Sequence, residues 1–124
     1  MTDQYVAGTC NIGPDEIAMR RRFGHAGVVV TAALAAALLR SDAHPAWRLT
    51  LALPAAGAAA GYLQARHRFC AAFGFRGVYN FDRLGHEQAV TGDDAQLQDR
   101  RQAQQIVAQS AAIGLGVALV AMAV

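Results

Sequence analysis

At 124 residues the chain has room for one folding unit, and a formal net charge of +2 is too small to imply nucleic acid as a partner. Hydrophobic residues make up 54% of it, but Ala carries much of that share and only 7% is aromatic, so the Leu, Ile, Val and Phe of a soluble core are in short supply. The apolar residues come in uncharged blocks and Lys is absent, which points to lipid as the solvent and to Arg as the residue that sets orientation.

The lead-in, residues 1–22, contains at 6–10 the outline of a lipoprotein cleavage box, but no apolar run precedes it, so lipidation is not expected. Pro14 suits the first turn of a helix in which Glu16 and Arg20 form an i to i+4 pair, with Asp15 beside them. Arg20-Arg21-Arg22-Phe23 has the form of a twin-arginine export signal, yet no small-x-small cleavage site follows the apolar run. A signal-anchor helix that starts in the cytoplasm is the expectation.

Three transmembrane helices are expected, at 23–39, at 47–65 and within a helix over 93–124 whose apolar part is 106–124. The fold class is therefore all-α and integral to the membrane, a helical hairpin plus a third span. The first run would rise about 26 Å against a hydrocarbon core of about 30 Å, so Arg22, Arg40, Arg48 and Arg66 at the ends of the first two spans would snorkel to the headgroups, beside an interfacial Trp47. Pro54 should kink the second helix or mark where it re-forms. Arg residues crowd before the first span, after the second and before the third. The positive-inside bias thus places the N-terminus and the middle segment in the cytoplasm and the C-terminus across an inner (plasma) membrane. The competing reading is a soluble Ala-rich bundle, since 47–65 is only marginally hydrophobic; the apolar tail 118–124 speaks against it.

Residues 66–92 are expected to form a cytoplasmic interfacial segment and joint. Phe69, Phe73, Phe75, Tyr79 and Phe81 alternate with basic residues, so their rings could lie at the acyl boundary while Arg20, Arg21, Arg22, Arg66, Arg68 and Arg76 contact lipid headgroups. The alternative is that this segment packs on its neighbours as the end of the second helix. His86 to Val90 reads as a flexible joint. Thr91 to Asp94 has the form of a capping box, opening a helix that runs on into the third span.

Small residues four apart allow close helix approach: Gly57 and Gly61 in the second span, Gly114 and Ala118 in the third. Intramolecular packing is the simplest use of them, and a second copy or a larger membrane complex the other. His67 and Cys70 would share a helical face, with Cys10 on the same side of the membrane, but zinc asks for three or four such ligands, so no metal and no cofactor is expected. Arg66 and Arg68 would favour a Cys70 thiolate, so the alternative function is thiol-dependent sulfur or metal handling at the cytoplasmic membrane face through Cys70 and Cys10; packing thiols are the plainer reading. No catalytic constellation is legible and no charge falls inside a span, as a coupled carrier would need, so a non-enzymatic module is expected.

Asn11-Ile12-Gly13, then Glu16, then Arg20 to Arg22 entering an apolar hairpin that closes on Phe69-Cys70, resembles a bacterial family of small inner-membrane domains of unassigned function, found alone or fused to rhodanese sulfurtransferase domains. The similarity covers Asn11 to about Asn80 and leaves the third span outside. Arg68 and Phe69 depart from the family's glycine-rich approach to the cysteine, and no rhodanese domain accompanies the hairpin. The resemblance implies a dimeric hairpin module with Cys70 as the residue of interest in sulfur handling. It supplies no reaction.

Overall fold

The computed structural model describes residues 5–124, so positions 1–4 of the lead-in lie outside the described residues. The architecture is helical: α1 (Pro14–Arg40), a 3-10 helix (Pro45–Leu51), α2 (Ala52–His67), α3 (Ala71–Arg76), a two-stranded antiparallel ladder of β1 (Val78–Tyr79) and β2 (Gln88–Ala89), and α4 (Asp93–Ala123). Pro14 stands in the first turn of α1, where its missing N–H costs nothing, and Asp15 and Glu16 follow it at the positive end of the helix dipole. The His44 ring accepts from the amide of Ala46 and opens the 3-10 helix. Pro54 is the third residue of α2, so it marks where the helix re-forms and does not bend a span.

Three local expectations are corrected. Gly92, with φ 100°, is the N-cap of α4 and no side chain caps it, so Thr91 makes no capping box; only the acidic first turn, Asp93 and Asp94, remains. The stretch read as a joint is held: β2 pairs with β1 in the register Val78 to Ala89, and Val90 is buried with its amide donating to the Gly77 carbonyl. For Phe69 and Phe73 the interfacial placement gives way to the alternative, packing on neighbouring elements, since both are buried. Phe69 packs with Ala71, Ala103 and Ile106, and Phe73 with Ile12 and Cys70, each ring worth about 1.5–3 kcal/mol of burial.

The three long helices lie side by side with α2 in the middle. Antiparallel packing follows from the contacts: Gly24 of α1 meets Tyr62 and Gly61, Gly27 meets Ala58, and Gly114 of α4 meets Ala52 and Ala56. Gly61 and Gly114 lie at close approaches of the helices, and Ala118 is fully buried. Gly57 is corrected, because a Cβ there would meet nothing within 4 Å. Four residues of helix turn through 400°, so a row of every fourth residue drifts around the axis, and the contact with α1 moves from Gly61 to Ala58, three residues away.

Where the long helices face one another, away from the cluster around Phe69 and Phe73, small residues lie inside and bulky ones outside. Between the helices lie Ala55, Ala58, Ala59, Gly61, Gly114 and Ala118, whereas Phe23, Val29, Val30, Leu53, Ile113, Leu119 and Val120 face outward. Two helices, α1 and α4, are long and apolar enough to cross a membrane; α2, at 16 residues, falls short of the roughly 20 that a span asks for.

α2 ends on a backbone anomaly. Arg68, at φ 53°, is the sole non-glycine residue with positive φ among the described residues, at the position where helices favour Gly. Its carbonyl accepts from the amides of Asn11 and Ile12, which ties the N-terminal segment to the end of α2. Arg68→Gly is therefore expected to raise the unfolding free energy by up to about 1 kcal/mol, read from a denaturant titration in mild detergent. A loss of stability would show that the arginine side chain itself holds this corner together.

Candidate functional site

At the end of the bundle where α1 begins, four segments converge on a buried polar cluster. The i to i+4 spacing of α1 brings Arg20 Nη1 to 2.6 Å from Glu16 Oε1, with both side chains almost wholly excluded from solvent. Asn80, just past β1, donates from Nδ2 to Glu16 Oε2 at 3.0 Å and to the Arg83 carbonyl at 2.8 Å. Asn11 grips the backbone of Cys70 from both sides, accepting from its amide at 2.7 Å and donating to its carbonyl at 3.2 Å. Asn80 and Asn11 are joined in turn, since the Asn80 amide donates to the Asn11 carbonyl and the Gly13 amide to the Asn80 carbonyl. Gly13 is required there, because a Cβ would lie 2.9 Å from the backbone of Phe81.

The second half of the Arg20 guanidinium meets sulfur. Nη2 lies 2.7 Å from Cys70 Sγ, and because guanidinium only donates, the sulfur is the acceptor. The guanidinium also sits over the Phe73 ring, 5.6 Å from its centre, and Arg76 lies 5.5 Å from the same centre. With Cys70 as a thiol the Glu16, Arg20 and Cys70 trio is neutral; as a thiolate it carries one negative charge. Glu16 and Cys70 thus share one cation.

Cys70 stands at the head of an open groove of about 570 Å³ between α1 and α2. Arg20 and Gln64 share its polar end, and Phe23, Val30 and Gly57 line its apolar length. Gln64 Oε1 accepts from the Ala71 amide, fixing the start of α3 beside the sulfur. The groove explains Gly57: the residue opens space and makes no helix contact.

A second buried carboxylate, Asp99 of α4, accepts from the Tyr5 hydroxyl at 2.6 Å and from the Gly8 amide at 2.7 Å. Tyr5 stacks on Tyr79, 4.9 Å between ring centres. Burial first, then the hydrogen bond and charge of Asp99, push the Tyr5 hydroxyl well above its ordinary value, so it donates as a neutral phenol. The role is structural, a clasp holding the N-terminal segment on α4.

The remaining sequence-predicted residues are placed as follows. Arg20 is corrected as a headgroup contact, since it is buried in the cluster, while Arg21, Arg22, Arg66 and Arg68 are exposed and Arg76 pairs with Glu87. His67 and Cys70 do not share a helical face. α2 stops at His67, the left-handed Arg68 turns the chain, and an exposed imidazole is left apart from a buried thiol. Cys10 is buried in a bridge with Val6, and neither thiol is in a disulfide. Among the described residues no group of three or more His, Cys, Asp or Glu could hold a metal ion.

Sequence reasoning missed Asn80 and Asp99. Asn80 carries no periodic signal, and an Asp followed by two Arg on a helix reads as a solvated face. No family model, curated protein or solved structure matches the chain.

Proposed function

We propose that this chain is a three-span helical module of the inner membrane, a non-enzymatic accessory or scaffold subunit that packs through its Gly and Ala faces and closes one end with a polar cap. One observation carries the reading: bulky aliphatic side chains point outward from α1 and α4 while Ala and Gly fill the space between helices. Lipid rewards that arrangement, because helix association there comes from close van der Waals packing and not from expelling water. The preceding 3-10 helix adds the length that α2 lacks, giving a joint path of roughly 38 Å. The charged cap, with Arg20, Arg21, Arg22, Arg66 and Arg68, lies on the cytoplasmic side under the positive-inside bias, and the C-terminus on the other.

A second reading, thiol-dependent sulfur handling through Cys70, is favoured by the guanidinium donating to Sγ and by the place of Cys70 in the lining of the groove. The resemblance to the rhodanese-associated inner-membrane family supports the same residue. Nothing comparable favours Cys10.

Reporter fusions after Arg40, Arg83 and Val124 test the threading. The reporter after Arg83 is expected on the cytoplasmic side and the other two outside, with the chain released from membranes only by detergent. Recovery in the soluble fraction would remove the membrane reading. Alkylation at neutral pH separates the two roles. Modification of Cys70 faster than a free thiol, lost in Cys70→Ser and kept in Cys10→Ser, favours sulfur chemistry, and a Cys70 slower than a free thiol leaves the scaffold.

A further inference from the structure

α4 carries a second stripe besides the one it buries. The buried stripe runs through Asp99, Ile106, Ser110, Gly114 and Ala118. About 130° around the helix from it lie Gln98, Gln102, Gln105, Gln109, Ala112 and Gly116, at alternating steps of four and three residues. That is the seam spacing of helices that wind around one another. All but the half-buried Gln102 are exposed, and a Cβ on Gly116 would meet nothing within 4 Å. None of the four glutamine amides makes a side-chain hydrogen bond among the described residues.

Depth singles out Gln109. Gly114 meets Ala52 and Ala56 of the antiparallel α2, so Gln109, earlier in α4, stands level with Ala58 or Ala59. Gly27 of α1 meets Ala58 and lies five residues beyond Arg22, the last charge before the apolar run. In the membrane arrangement proposed above, Gln109 is then roughly 7 Å inside the hydrocarbon. An amide there has no water for its donors and its acceptor, so it is satisfied by a polar group of another helix at the same depth. One and two turns deeper, Ala112 and Gly116 are small enough to let a second backbone come close.

We infer that this face of α4 pairs with α4 of a second copy of the chain. Two copies threaded the same way present parallel α4 helices, so about a two-fold axis each seam residue meets its own counterpart at equal depth. An amide is self-complementary, donating through nitrogen and accepting through oxygen. Gln109 and the partner's Gln109 therefore satisfy each other, and Gln105, Gln102 and Gln98 carry the same ladder out toward the polar cap. The inference rests on the membrane reading but fails separately: a chain that needs detergent yet stays monomeric loses only the pairing.

The test places single cysteines along α4 of the full chain in native membranes and follows oxidative cross-linking. The oxidised wild type, which keeps the buried Cys10 and Cys70, sets the background. Bands of twice the chain mass are expected from Gln105→Cys, Gln109→Cys, Ala112→Cys and Gly116→Cys, and not above background from Gln104→Cys, Ala111→Cys or Leu115→Cys. In detergent, Gln109→Leu should weaken dimerisation about tenfold while leaving the helix content unchanged, and Gln109→Asn should keep part of it. Equal cross-linking on and off the seam, a monomer at every detergent ratio, or an undiminished dimer in Gln109→Leu would overturn the pairing. Seam cross-links to a band of any other mass would overturn the second copy in favour of a different helix.

Discussion

Gly61→Leu is expected to break the α1–α2 contact, lowering the unfolding free energy by about 3 kcal/mol or more in detergent, whereas Gly57→Leu four residues away should cost almost nothing. A Cβ on Gly61 would lie 2.6 Å from the Gly24 amide nitrogen and 2.7 Å from the Arg20 carbonyl oxygen. Both obstacles are backbone, so no rotamer change relieves them and the helices must part. Parting them at Arg20 also pulls the guanidinium from Cys70, so the substitution should be felt at the site. Gly57 faces the open groove, and its replacement adds volume where there is room. Equal effects at the two positions would mean that the contact runs along every fourth residue after all, with both glycines in one interface.

Removing one partner of the Glu16–Arg20 pair is the second large effect. Arg20→Met leaves a buried carboxylate with Asn80 as its remaining side-chain donor, and a loss of about 3–5 kcal/mol is expected. The double variant Glu16→Leu with Arg20→Met should recover most of that loss, because a buried pair contributes little net stability beyond an apolar replacement of similar size. Cys70 supplies a readout that stability does not. Glu16→Gln removes the competitor for the guanidinium and should raise the rate of Cys70 alkylation at neutral pH several-fold, while Arg20→Met should lower it. A Glu16→Gln protein whose alkylation rate is unchanged would mean that the guanidinium exerts no hold on the sulfur.

Much of the helical frame is written in local chemistry. Pro14 with Glu16 and Arg20 announces the start of α1, the uncharged blocks announce the long helices, and the acidic pair Asp93 and Asp94 announces α4. What could not be read is whatever depends on direction in space. Gly57 and Gly61 look equivalent in a row, and only the drift of that row around α2 decides which one touches α1. Arg20, Arg21 and Arg22 look like one basic cluster, but a helix turns 100° per residue, so the first points into the protein and the others away. His67 and Cys70 have a helical spacing that holds only if the helix continues, and the left-handed Arg68 ends it. The buried cluster was half visible: Asn11, Glu16 and Arg20 belong to the stretch that suggested a family, but their meeting with Asn80 depends on the return of the chain through α3 and β1.

The place of α2 between its neighbours bears on how such a chain could be made. In the proposed arrangement the middle helix is the least greasy of the three and owes its shelter to flanking walls. During synthesis its second wall, α4, emerges from the ribosome after α2. Until then α2 has one companion and a bare flank of alanines with little affinity for the bilayer interior, so stable integration of the hairpin would wait on the synthesis of α4.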